Sequence, residues 1–164
     1  MRLITRQGPC GDHSFSPIAQ PYSLEFPSPV QTINLWYTNG NPGLVVNIEF
    51  VCPEPDGSQW VNTNPAQLEP GGGALLASIG IPSGSALVGV TGNYTGVINM
   101  ISFLLYDATT KTLTSVGPYG GMTTDGSGVA FTLTIPSGTT LTGVFGQVGS
   151  QVNTIGLIYS PGQY

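Results

Sequence analysis

The chain has 164 residues, of which 24 are glycine and 14 are proline, while only 7% are charged and the formal net charge is −5. Because 40% of the residues are hydrophobic, a disordered polar chain is excluded, and because no run of about 18 apolar residues occurs, we expect no transmembrane helix. So much glycine and proline also argues against a helical bundle or coiled coil, and collagen is excluded because the sequence has no Gly-X-Y register.

Strand signals recur along the chain as alternating or β-branched runs bounded by Gly, Pro, Ser and Asn. In chain order, the predicted strands are residues 31–38, 43–52, 85–91, 97–106, 111–116, 129–135, 140–146 and 152–159. Turn-forming sequences punctuate them at residues 39–43, 53–58, 69–73, 81–84 and 117–121. No 11-residue window has a good helical period, and no break in composition marks a linker. We therefore expect one all-β domain spanning residues 1–164.

An internal repeat relates two parts of the chain. Residues 81–106 align without gaps to residues 135–160, at an offset of 54, and share the Ile-Pro-Ser-Gly sequence at their start. A fainter third copy places residues 30–37 on residues 152–159, at an offset of 122. Repeats of this spacing indicate supersecondary units that share one core. We predict three similar antiparallel sheets around a pseudo-threefold axis, which also limits the number of exposed sheet edges.

Several glycine-rich segments resemble those of the jacalin-related lectin family. They are QGPCGDHSF (7–15), VTGNYTG (90–96) before ISFLLYD (101–107), GPYGG (117–121), IPSG (135–138) and LTGVFGQVGSQVNTIGLIY (141–159). The resemblance covers nearly the whole chain and implies an all-β, type I β-prism of three four-stranded antiparallel Greek-key sheets. It also implies non-catalytic binding of mono- and oligosaccharides at one end of the prism, with no metal and no cofactor.

The resemblance implies a principal sugar-binding loop near the C-terminus. In the family this loop reads Gly-x-x-x-Asp, and here it consists of Gly149, Ser150, Gln151, Val152 and Asn153. The backbone N–H groups of the second and third residues would meet the ring oxygen and exocyclic hydroxyl of a sugar. The amide of Asn153 stands where the family has a carboxylate, so it offers one acceptor oxygen without charge assistance. We expect binding about 10- to 100-fold weaker than with aspartate at this position.

A second glycine loop is expected to flank the first. The carried-over residues are Gly11 and Asp12, followed by His13. Asp12 stands where the family has glycine, so its carboxylate either substitutes for the missing charge from the opposite wall or blocks the pocket. Tyr94, in the loop of the middle repeat, either stacks on a sugar face or packs against the protein.

The repeat predicts two secondary sites. At the 54-residue offset, residues 95–99 superpose on the principal loop, and the candidate residues are Gly96, Asn99, Gly120, Gly121 and Asp125. At the 122-residue offset, residues 27–31 superpose on it, and the candidate residues are Gln31, Gly72 and Gly73. One interpretation is that three weak sites gain strength by avidity. The other is that each amide caps its own loop by bonding the backbone.

The leading functional prediction is a non-catalytic lectin for mannose/glucose-type or galactose-type glycans. The alternative is a β-prism module that has lost sugar binding and mediates protein–protein contact. A glycosidase would need two carboxylates about 5–10 Å apart, and the acidic residues are scattered along the sequence. Because His13 is the single histidine, Ser-His-Asp or Cys-His catalysis has no second candidate. We expect no enzymatic activity.

Charge and cysteine content bear on partners and location. Three basic residues are too few to neutralise nucleic acid or favour an anionic membrane surface, so neither partner is expected. Sheets with few charges bury easily against another subunit, which favours a homo-oligomer. The N-terminal sequence lacks the apolar stretch of a signal peptide, so we expect a cytoplasmic or unconventionally secreted protein. Cys10 and Cys52 lack CxxC spacing. They pair only if the fold brings them close, and the frequent burial of cysteine favours two free thiols instead.

Overall fold

Twelve β-strands and no helix make up the part of the chain that the computed structural model describes, residues 3–11, 19–62 and 74–162. The strands are β1 (Thr5–Gly11), β2 (Gln20–Glu25), β3 (Thr32–Thr38), β4 (Leu44–Pro53), β5 (Gln59–Val61), β6 (Leu75–Gly80), β7 (Ser85–Tyr94), β8 (Ile98–Asp107), β9 (Thr112–Gly120), β10 (Val129–Thr134), β11 (Thr139–Val148) and β12 (Val152–Pro161). All eight predicted strands are present within a few residues of their expected bounds. Four further strands, β1, β2, β5 and β6, were not predicted.

The strands form three four-stranded antiparallel sheets, as expected. Sheet I has the order β5-β4-β3-β6, sheet II the order β10-β7-β8-β9, and sheet III the order β1-β12-β11-β2. In sheets I and II, three consecutive strands pair in series and the fourth returns beside the first, which is the Greek-key arrangement. Sheet III has the same arrangement, but it combines strands from the two ends of the described chain: β1 pairs with β12, and β2 pairs with β11.

The four unpredicted strands lie at sheet edges, where each pairs with a single neighbouring strand. Their hydrophobic alternation is weak, so the sequence pattern does not reveal them. Strand β1 also contains the sequence Gly-Pro-Cys-Gly, which reads as a turn. The same mistake affected residues 117–121, because most of that predicted turn belongs to β9.

The inner hairpins of sheets II and III confirm the 54-residue repeat, down to a shared bulge. In β7–β8, register shifts between the pairs Asn93↔Met100 and Tyr94↔Ile98, which leaves Asn99 bulged. In β11–β12, the equivalent shift leaves Asn153 bulged. Two amides that are 54 residues apart therefore occupy the same position in their sheets.

The 122-residue alignment, in contrast, is wrong. It matched β3 to β12, but β3 is the first strand of its inner hairpin and β12 is the second. The bulge of β3–β4 falls at Val46, which is the residue equivalent to Asn99 and Asn153. Gln31 instead precedes β3, away from the hairpin turn, and its N–H donates to the carbonyl of Val51 at 2.8 Å. A period-two pattern does not reveal which strand of a hairpin it belongs to, and this explains the error.

One hydrophobic core is shared by all three sheets. Fully or almost fully buried side chains come from each of them, including Ile33, Leu35 and Phe50, then Ile101 and Phe103, then Ile155 and Leu157. Burying one such side chain stabilises the fold by about 1.5–3 kcal/mol. Aromatic contacts also join sheets: the rings of Tyr37 and Tyr119 lie 5.4 Å apart in an edge-on arrangement. Within the described residues, no helix could span a membrane.

Candidate functional site

The candidate sites lie at the turns of the inner hairpins, which are the central strand pairs β3–β4, β7–β8 and β11–β12. The turns comprise residues 39–43 in sheet I, 95–97 in sheet II and 149–151 in sheet III. The turns of sheets II and III close in the same way: the Thr95 N–H donates to the Val97 carbonyl at 3.2 Å, and the Gly149 N–H donates to the Gln151 carbonyl at 3.0 Å. The bulged amide follows two residues later in each case.

A glycine of the outer strand lies against each bulge. Gly11 pairs with Thr154, and Gly120 pairs with Met100. Their φ angles, +123° and +94°, lie in the region that favours glycine. A Cβ at Gly11 would collide with the carbonyl oxygen of Asn153, and a Cβ at Gly120 would collide with that of Asn99. Both glycines are therefore required for the outer strand to approach the loop closely.

The structure places Gly11 against Asn153, the last residue of the predicted principal loop. Asn153 is 2% exposed, and its side-chain oxygen is buried without a hydrogen-bond partner among the residues described. Leaving a buried acceptor unpaired costs about 1–3 kcal/mol, so a donor that reached this oxygen would stabilise the loop. The side-chain oxygens of Gln7, Asn93 and Gln147 are likewise buried and unpaired among the described residues. Val152 packs into the core, so its side chain faces away from any ligand.

The tip of this loop offers further polar groups. Ser150 is exposed and Gln151 is half-buried. The Ser150 hydroxyl donates to the side-chain oxygen of Gln151 at 3.1 Å. The backbone N–H groups of these two residues have no acceptor in the described part of the chain. Asp12 and His13, the rest of the predicted flanking loop, lie outside the described residues.

Asn99, by contrast, has both ends of its side-chain amide occupied by the protein. Its oxygen accepts from the Thr95 hydroxyl at 2.9 Å, and its nitrogen donates to the carbonyl of Gly43 at 3.0 Å. The side chain is 1% exposed. For this residue the structure supports the capping interpretation, since the amide holds its own loop and the neighbouring turn together.

The remaining residues of the second predicted site also bond within the protein. The Gly121 N–H donates to the Asn99 carbonyl at 3.2 Å, and its own carbonyl accepts from the Gly43 N–H at 3.0 Å. Asp125 is exposed and accepts from the Ser127 N–H at 2.9 Å. Hydrogen bonds from Ser127 lower the pKa of the Asp125 carboxyl below its usual value. Asp125 therefore stabilises its own turn. Gly96 is half-buried in the hairpin turn of sheet II.

The family assignment comes from a match to the family model described as the jacalin-like lectin domain, over residues 19–158. The chain belongs to the jacalin-like lectin domain family. Comparison with curated protein sequences gives no match.

Solved lectin structures share the fold of this jacalin-like domain. Calystegia sepium agglutinin has a TM-score of 0.71 at 20% identity, and 99% of each chain is covered. Wild-type Malaysian banana lectin has a TM-score of 0.70 at 15% identity, with 96% of this chain and 99% of the other covered. Single-chain recombinant jacalin has a TM-score of 0.67 at 21% identity, with coverage of 98% and 95%. The β-prism architecture is thereby confirmed.

Other candidate residues of the jacalin-like domain contribute to packing or lie elsewhere. The half-buried ring of Tyr94 lies 6.1 Å from that of Phe131, which supports the packing interpretation. Sheet I has Val46 at the amide position, so the third predicted site lacks its polar group. Gln31 is not at the hairpin turn, and Gly72 and Gly73 lie outside the described residues.

The two cysteines of the jacalin-like domain are free thiols. Cys52 is fully buried, and desolvation raises its pKa to about 11. Burial also raises the pKa of the half-buried Cys10. Within residues 3–11, 19–62 and 74–162, no three His, Cys, Asp or Glu side chains cluster in a way that could hold a metal ion.

The contact of the turn at residues 39–43 with Asn99 was not predicted from the sequence. The sequence of the turn, Asn-Gly-Asn-Pro-Gly, was interpreted as punctuation between two strands. The available signal was its position: as the turn of an inner hairpin it is the counterpart of residues 95–97 and 149–151. The incorrect 122-residue alignment concealed that equivalence.

Proposed function

We propose that this jacalin-like domain is a carbohydrate-binding lectin with one open site, formed by Gly11 and residues 149–153. The observation that carries the proposal is the contrast between two equivalent amides. The side chain of Asn99 is saturated by protein groups, whereas the buried oxygen of Asn153 has no partner among the described residues. A sugar hydroxyl donating to that oxygen would remove the penalty of an unpaired acceptor.

The chemistry of the loop suits a sugar. Hydroxyls both donate and accept, so they match a site that presents an amide oxygen beside free backbone N–H groups. The Ser150 and Gln151 N–H groups would donate to the ring oxygen and to an exocyclic oxygen, while the side-chain oxygen of Asn153 would accept from a hydroxyl. A related fold has been solved with such a ligand, since Calsepa lectin was crystallised in complex with a biantennary N-glycan.

We also propose that the site is non-catalytic. Its described polar groups are an amide, a hydroxyl, a glutamine and backbone N–H groups, and none of these titrates near neutral pH. They orient hydroxyls but do not supply the paired acid and base that glycoside hydrolysis requires. The alternative, a protein-interaction module that has lost sugar binding, predicts that no glycan binds.

The test is a glycan array followed by titration of its hits. We expect binding by the wild type, about tenfold weaker binding by Asn153→Ala, and 10- to 100-fold tighter binding by Asn153→Asp, because charged acceptors bond more strongly. Asn39→Ala is the matched control, since it removes an exposed amide from the equivalent turn of sheet I. The proposal fails if no glycan binds at millimolar concentration, or if Asn153→Ala binds its glycan as the wild type does.

A further inference from the structure

A segment of sheet I covers the loop of sheet II that matches the open site of sheet III. We call this segment, residues 39–43, the plug. The buried Gly43 lies between the Asn99 amide, which donates to its carbonyl at 3.0 Å, and Gly121, whose carbonyl accepts its N–H at 3.0 Å. Through its carbonyl and its N–H, Gly43 accepts one hydrogen bond and donates another, and a sugar hydroxyl makes the same two kinds of bond.

Close packing completes the covering. A Cβ at Gly43 would overlap the backbone of Gly121, and a Cβ at Gly121 would overlap the carbonyl oxygen of Gly40. The plug thus reaches the bulged amide of sheet II and Gly121, the residue after the flanking glycine Gly120. The counterpart of Gly121 in sheet III is Asp12, which lies outside the described residues. The scaffold under the plug is otherwise the same, with the same turn hydrogen bond and the same bulge.

We propose that the plug acts as an intramolecular ligand in a second carbohydrate site at Asn99, so that the chain has one open site until the plug is displaced and two afterwards. The second site would take the same class of ligand, sugar hydroxyls, and in that respect the inference rests on the proposed function. It differs from that function in assigning residues 39–43 the role of controlling the number of sites.

Asn41 makes two side-chain hydrogen bonds that hold the plug to Thr124, and we call it the latch. Its side-chain nitrogen donates to the Thr124 hydroxyl at 2.7 Å, and its oxygen accepts from the Thr124 N–H at 2.9 Å. Both residues are exposed, so Asn41→Ala removes these two bonds without opening a cavity in the core. Two neutral hydrogen bonds of ordinary strength correspond to roughly a tenfold or greater shift toward the open plug. Apparent affinity at the second site rises in proportion to the open fraction.

The experiment uses the full chain with Asn153→Ala, which disables the first site. Methyl α-mannoside and methyl α-galactoside serve as probes in NMR titrations, alongside hydrogen exchange of the Gly43 amide. In the Asn153→Ala/Asn41→Ala protein, we expect roughly tenfold faster exchange at Gly43 and a gain of sugar binding. Shift changes should centre on Gly121 and the Asn99 side chain. The control, Asn153→Ala/Asn39→Ala, changes an exposed amide in the plug that makes no described hydrogen bond, and it should show neither effect.

Two results would contradict the proposal that the plug occupies a second carbohydrate site. Unchanged exchange at Gly43 would show that Asn41 is not the latch, and faster exchange without sugar binding would show that no site lies beneath. A wild type that binds glycan while the double variant does not counts against the plug alone. A wild type that binds no glycan counts against the proposed function, and the exchange measurement still reports on the latch.

Discussion

Asn99 and Gly43 belong to different sheets, and a 3.0 Å hydrogen bond from the side-chain nitrogen of Asn99 to the carbonyl of Gly43 joins them. Its counterpart in the repeat, Asn153, has the same bulge and the same turn beneath it but keeps its oxygen unpaired among the described residues. The two equivalent hairpins therefore differ in the hydrogen bonding of the amide: a turn of sheet I reaches Asn99, while no described residue pairs with the Asn153 oxygen.

The Asn153→Asp variant should acquire a pH dependence that the wild-type residue cannot supply. An amide does not titrate, so the contribution of Asn153 to affinity is flat with pH. The aspartate of the variant binds hydroxyls best when ionised, and a bound sugar favours that form, so affinity should fall as pH drops through the carboxyl pKa. Burial raises that pKa above the reference value of about 3.9. Titrations from pH 8 to pH 4 check this, and equal slopes for the two proteins would contradict it.

Gly11→Ala should destabilise the protein and abolish sugar binding, because the new Cβ meets the Asn153 carbonyl at a φ of +123°. Gly57→Ala is the matched control, since Gly57 also has a positive φ, +86°, but has nothing within 4 Å of the added carbon. We expect a loss of about 1–2 kcal/mol for Gly57→Ala, from backbone conformation alone. The loss for Gly11→Ala should be at least twice as large, as measured by urea denaturation. Similar values for the two variants would show that the close approach is unimportant.

Cys52 should be unreactive in the folded protein. Its side chain is fully buried, and burial raises its pKa to about 11, so little thiolate is present at pH 8. Labelling with a thiol reagent at pH 8 should be at least a hundredfold slower at Cys52 in the native state than after denaturation in urea. Cys10 is half-buried and should react faster than Cys52. Peptide mapping of the labelled protein separates the two, and rapid native labelling of Cys52 would contradict the burial.

Much of the fold could be predicted from local patterns. The alternating strands of the three inner hairpins were visible because each carries a core-facing set such as Ile101 and Phe103. The strands β1, β2, β5 and β6 were not, because their hydrophobic alternation is weak. Edge position alone does not explain this, since the edge strands β9 and β10 were predicted. For the site, Asn153 and Gly11 came from the resemblance to the family, and the structure places them side by side.

The sequence by itself determined the class of the fold, its repeat and the identity of the amides, since hydrophobic period, glycine spacing and internal similarity are properties of neighbouring residues. Only the tertiary structure decided which strand of each hairpin a pattern belongs to and which amide oxygen is unpaired among the described residues. Those outcomes depend on contacts between distant residues: Gly43 and Asn99 are 56 positions apart, and Asn41 and Thr124 are 83 apart. No local pattern records such pairings, because they form only when three sheets close around one core.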